Sequence, residues 1–112
     1  MNRYEEPGHA SPLQLALAIE ADDPARISER LIALALQGTE SDWLTGRCIE
    51  LASHHSADVR RASVVALGHI ARVQRAIDLT VVLPHLRAMS NDPDLAGPAA
   101  DALDDIEMFA QP

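Results

Sequence analysis

The run from Ser56 to Val73, SADVRRASVVALGHIARV, constrains this chain more than any other stretch. Val59, Ala62, Ser63, Ala66, Leu67 and Ile70 recur at steps of three and four residues, the period of a helix with one buried stripe. Arg60, Arg61 and Arg72 fall outside that stripe. Its small side chains let a neighbouring helix approach closely, so the rest of the chain reads as packing on this one element.

At 112 residues the chain has the length of one domain with a modest core. Ala and Leu dominate and aromatic residues make up only 3%, which points to an all-α fold. Cys48 is the sole cysteine, so no intrachain disulfide can form. The first ten residues, MNRYEEPGHA, carry no apolar core of a signal peptide. No segment approaches the roughly 18 uninterrupted apolar residues of a membrane span. A cytoplasmic protein is expected.

Seventeen acids stand against nine bases, a formal net charge of −8, and every base is arginine. That balance argues against nucleic acid as a partner, because phosphate binding needs a basic footprint. It favours a basic protein partner.

Residues 1 to 10 read as a loose leader, and residues 11 to 110 as one α-solenoid domain. Ser11-Pro12 starts the first helix: serine caps, and proline suits the first helical position because its missing N–H had no partner there. Asp22-Asp23-Pro24 repeats the signal, and the stripe of Ile27, Leu31, Leu34 and Ala35 stops at Gly38, a helix terminator. The third helix begins around Thr39 to Asp42, carries Trp43 in its first turn, and breaks at His54-His55-Ser56. SADVRRASVVALGHIARV is the fourth. The fifth runs from about Asp78 to Met89 with Pro84 inside it, where a kink is expected. The sixth carries Leu95, Ala99, Ala102, Leu103, Ile106 and Phe109.

Six helices in pairs suggest an internal repeat. A shift of 36 residues (58 to 94) lays Asp58-Val59 over Asp94-Leu95, Ala66-Leu67 over Ala102-Leu103, and Ile70 over Ile106. With one residue of loop difference, Leu51 meets Leu86 and Cys48 meets Leu83. Three hairpins are about the minimum for stacked repeats to bury a continuous core.

Asp58-Val59-Arg60 with Ala62, Ala66-Leu67-Gly68 and Ile70 resembles the second helix of a HEAT repeat, in particular its bilin-lyase-like subset. Leu83-Pro84-His85-Leu86, followed by Asp92-Pro93-Asp94, resembles the proline-kinked first helix and the turn of another. The resemblance covers roughly residues 40 to 110. The last hairpin departs from it, with Ala96 in place of the Arg60 equivalent and Gly97-Pro98 at the helix start. The resemblance implies a short right-handed superhelical stack of about three antiparallel helix hairpins, whose second helices line a concave binding face. It implies no particular activity.

Catalytic signatures are missing: there is no locally spaced nucleophile–base pair, no glycine-rich phosphate loop and no cysteine cluster. No catalytic residue, cofactor or metal is assigned. Glu50 and His54 lie four apart with His55 beside them, but adjacent histidines at a helix end read as a solvated cap. Asp22, Asp23, Asp58, Asp92 and Asp94 sit in the turns. They read as N-caps at the positive ends of helices, although in a stack they would also form an acidic ridge. Trp43 is expected to plug the junction between the first two hairpins.

The sixth helix offers a sharper signal. With Leu95, Ala99, Ala102 and Ile106 turned inward, Asp101, Asp104 and Asp105 fall together on the outer side beside Met108. Asp101 and Asp105 repel at i,i+4 and approach a negative helix end, two local costs without an internal gain. The equivalent outward positions on the fourth helix include Arg61, Val65, Gly68, His69 and Arg72. A partner-binding surface of Arg61, Val65, His69, Arg72, Asp101, Asp104, Asp105 and Met108 is therefore expected.

These features fit a non-enzymatic binding module, a monomer rather than an oligomer. The chain is similar in size and charge to the immunity proteins with which bacteria neutralise their own toxic nucleases, and a basic toxin or nuclease domain is the partner this implies. An adaptor or assembly subunit docking through the ends of the stack is the alternative. A lyase-type enzyme subunit is a third reading, and it would require Cys48 and the histidines to act.

Overall fold

The computed structural model describes residues 10–38, 40–74 (at 74 the backbone only) and 77–109. Six helices follow in order: α1 Pro12–Glu20, α2 Pro24–Gln37, α3 Ser41–Leu51, α4 Ala57–Gln74, α5 Leu79–Met89 and α6 Ala96–Phe109. No strand occurs among the described residues. α1 packs on α2, α3 on α4 and α5 on α6, making three hairpins. The second helices lie side by side with α4 in the middle, against α2 on one flank and α6 on the other. The result is a slab of 44 × 31 × 18 Å.

The helix ends follow local chemistry. Ser11 and Gln14 form a reciprocal capping box on α1. The Asp23 carboxylate accepts from the Arg26 N–H at the start of α2, and Gly38 ends that helix at φ 81°, where a side chain would be strained. Ser56 Oγ accepts from the Val59 N–H at the start of α4. Asp78 caps α5 through the Thr80 N–H.

The stripe predicted on α4 is the core of the molecule. Val59, Ala66, Leu67 and Ile70 are buried, joined by Val64 and Ala71, and Ser63 is buried with its hydroxyl donating to the Arg60 carbonyl. Each fully buried Leu, Ile or Val contributes about 1.5 to 3 kcal/mol relative to exposure. Leu31 and Leu34 on α2 and Ala99, Ala102 and Ile106 on α6 are buried in the same core.

Two prolines are accommodated differently. Pro84 inside α5 is exposed, as is Thr80, so water can replace the backbone bond it removes. Pro98 does not delay α6, because it falls in the first turn, where N–H groups have no helical acceptor anyway. Ala10 is not loose: it is buried, and its N–H and carbonyl pair with the Gln37 side chain at 2.8 Å each. The remainder of the expected leader, residues 1 to 9, lies outside the described residues.

Candidate functional site

Between α4 and α6 runs a groove of about 240 Å³ lined by Val65, Gly68, His69, Arg72, Pro98, Asp101, Ala102 and Asp105. On each helix the lining residues are spaced i, i+3, i+4 and i+7, so two matching helical faces oppose one another. The floor is set by Gly68, which is buried under α6 rather than turned outward as the repeat alignment suggested. A Cβ there would stand 3.0 Å from Asp105 Oδ2, so the missing side chain is what lets that carboxylate lie across α4.

One rim is cationic and the other anionic. Arg72 Nη2 donates to His69 Nδ1 at 2.7 Å. Arginine has no acceptor, so His69 is neutral with its proton on Nε2. Burial pushes the His69 imidazole below its ordinary value, the Arg72 charge pushes it further, and Asp105 opposes both. Across the groove, Asp101 and Asp105 have no ion-pair partner among the described residues.

The fold thus gathers Val65, His69, Arg72, Asp101 and Asp105 from the expected surface and adds Gly68, Pro98 and Ala102. It leaves out the other three. Arg61 pairs with Asp58 on its own helix. Asp104 is exposed outside the groove, and Met108, 73% exposed, extends away from the core. Such a groove can bind, and no Ser, Thr or Cys lines it. Cys48 is no substitute, since burial pushes its thiol up to about 12 and keeps it protonated.

A second cluster was only partly visible in the sequence, which offered the histidine pair but not its partner Asp22. His54 Nε2 and His55 Nε2 each lie 2.7 Å from a different oxygen of Asp22, 32 and 33 residues earlier. His54 is not a solvated cap: its side chain is only 11% exposed, and its Nδ1 accepts from the Ser56 N–H. Glu50, the neighbour suggested by helical spacing, pairs with Arg47 instead. The two hydrogen bonds hold the Asp22 carboxyl below its usual range, His55 more than His54. Asp22 takes φ 50°, a left-handed conformation that turns its side chain from capping toward the histidines.

The other turn acids also have partners of their own. Asp23 is a cap, whereas Asp58 sits inside the first turn of α4 against Arg61. Asp92 accepts from the Asp94 N–H, and Asp94 pairs with Arg60 at 3.0 Å. Trp43 is half-buried against the core, with the Arg47 guanidinium 5.7 Å from its ring centroid.

No family model matches the chain, and no curated protein matches it. Among solved structures, a chain of the CDI complex from Cupriavidus taiwanensis LMG 19424 has the same fold, with a TM-score of 0.84. The match covers 99% of this chain and 100% of that one at 24% sequence identity. At that identity the likeness is one of fold. No described helix is long and apolar enough to cross a membrane.

Proposed function

We propose that this chain is a non-enzymatic, immunity-type inhibitor that binds and neutralises a protein toxin through the groove between α4 and α6. The observation that carries the reading is the fold shared, end to end, with a chain of a CDI complex. CDI, contact-dependent inhibition, pairs a toxin with an immunity protein. The likeness in fold extends over 99% of this chain and 100% of that one, which supports the reading.

The charge supports a basic toxin, such as a nuclease domain. A net charge of −8 speeds encounter with a cationic partner. Asp101 and Asp105, without a counter-ion among the described residues, offer carboxylates in the place where a nuclease would otherwise meet phosphates. Arg72, His69 and Val65 supply the mixed and apolar contacts that fix orientation. Inhibition is by occlusion, in the bacterial cytoplasm, by a monomer. The hairpins are HEAT-like at the positions where Asp58-Val59-Arg60 and Asp92-Pro93-Asp94 match that pattern.

Co-expression with the product of the neighbouring gene tests the reading. The expected result is a stable complex and restored growth of a host otherwise killed by that product. A harmless neighbour, or a toxin left active and unbound, overturns it. One observation favours the adaptor reading instead: Leu13 and Leu17 lie one turn apart on α1 and are 67% and 55% exposed. Self-association in sedimentation, abolished by Leu13→Glu with Leu17→Glu, would mark that face as the working surface.

A further inference from the structure

We infer that Asp22, His54 and His55 form a binding site for one first-row divalent ion of the zinc class, separate from the groove and independent of the toxin reading. The three donor atoms, one from each residue, lie within 4.8 Å of one another. Two imidazole nitrogens and a carboxylate oxygen are the donors that zinc and its neighbours prefer over magnesium or calcium. In a tetrahedral site with bonds near 2.0 to 2.2 Å, donor atoms stand about 3.3 Å apart. To admit an ion, the 2.7 Å contacts open by about half an ångström and the widest donor pair, within 4.8 Å, closes by up to about 1.5 Å.

The placement of the ligands is the stronger argument. Adjacent residues commonly send their side chains apart, yet His54 and His55 converge, with ring centroids 4.1 Å apart. Both present Nε2 to the same carboxylate. Arg60 fixes the backbone beneath them, donating to the carbonyls of His54 and His55 at 2.9 and 3.2 Å. Its charge is offset by Asp94. The His55 ring and the Asp22 carboxylate are exposed, which gives an ion access and leaves room for water at the remaining position.

Proton bookkeeping adds a consequence. The Ser56 N–H donates to His54 Nδ1, so in the metal-free chain the His54 proton is on Nε2. An ion taking Nε2 moves that proton to Nδ1, where it faces another donor, and the Ser56 hydrogen bond is given up. Metal uptake therefore frees the Ser56 N–H just ahead of α4, with no net proton released from a neutral histidine. Among the described residues, no donor is hydrogen-bonded to His55 Nδ1.

Zinc and cobalt(II) titrations of the full chain test the site. The expected result is one zinc per chain by calorimetry and the visible absorption of tetrahedral cobalt. Zinc should also raise the melting temperature and speed hydrogen exchange at the Ser56 amide. His55→Ala and Asp22→Asn, at exposed positions, should each weaken binding by more than about tenfold and remove the thermal shift. Melting curves without metal establish that these variants fold. No uptake at millimolar zinc overturns the inference, as does binding unchanged in both variants, which would place the ion on other histidines.

Discussion

Gly68 and Ala102 set how closely α4 and α6 approach: a Cβ on residue 68 would stand 3.3 Å from the Ala102 Cα and 3.4 Å from its Cβ. The nearer atom is backbone, so relief requires α6 itself to move by a few tenths of an ångström. In Gly68→Ala, the helical preference for alanine, about 1 kcal/mol, opposes that displacement. The expected net change in unfolding free energy is within about 1 kcal/mol of zero. Gly68→Leu has no such balance and should lose about 1 to 3 kcal/mol through overpacking. Urea unfolding measures both, and a leucine variant as stable as wild type would contradict the close approach.

Arg60 ties two turns together. It donates to the carbonyls of His54 and His55 and to the Asp94 carboxylate, with its side chain 21% exposed. Removing it strands two carbonyls and a carboxylate, so Arg60→Ala should cost about 1.5 to 3 kcal/mol. Asp94→Asn keeps the carbonyl bonds and should cost less than about 1 kcal/mol. Equal losses in thermal or urea unfolding would mean that the ion pair, not the carbonyl clamp, carries the effect.

Asp101 and Asp105 repel one another at i,i+4 and have no counter-ion among the described residues. Asp101→Arg with Asp105→Arg keeps a like-charge pair at i,i+4 but puts the favourable sign nearer the helix C-terminus, so stability should change by no more than a few tenths of a kcal/mol. Toxin binding should fall sharply, and the remaining affinity should lose its salt dependence. Circular dichroism and binding at low and high ionic strength read the two effects separately. Wild-type affinity that is equal at both salt concentrations would rule out an electrostatic mode.

Six helices, their pairing and the buried stripe of α4 were legible because helical periodicity and caps are local signals. The outward set on α6 was partly legible for the same reason: Asp101 and Asp105 broke helix rules without internal gain, and both line the groove. What could not be read depended on distance between elements. The depth at Gly68 comes from how tightly α6 crosses α4, and no spacing within one helix reports it. Asp22 looked like a cap because it stands beside Asp23-Pro24. Its left-handed backbone and its reach to His54 and His55 follow from stacking two hairpins, a contact over more than 30 residues of chain.

Cys48 separates the binding reading from the lyase reading. Its thiol is buried, and burial raises its pKa to about 12. It should resist iodoacetamide in the folded chain at mildly alkaline pH and react fully once unfolded. Cys48→Ala removes one sulfur from a packed core and should cost about 1 to 2 kcal/mol, leaving toxin binding intact. Rapid labelling of the native chain, or loss of function beyond the loss of stability, would restore the thiol as a working group.

His69 predicts the sign of one pH effect. Burial, and then the Arg72 charge, hold its folded pKa below the ordinary 6.5. Between that lowered value and about 6.5 the unfolded chain binds more protons than the folded one, so acidification through this window favours unfolding. The stability from neutral His69 is fully present above about pH 7, declines as pH falls through the window, and stops declining below the folded pKa. Protonation also puts a hydrogen on Nδ1, where Arg72 now donates, so the Arg72 side chain must leave the imidazole. His69→Gln should flatten this part of the stability curve as pH falls below about 7. The other histidines titrate in both proteins, so the difference between the two curves isolates residue 69. A difference that grows in the opposite direction, with wild type gaining stability on acidification relative to His69→Gln, would mean that Asp105 outweighs burial and Arg72 at this rim of the groove.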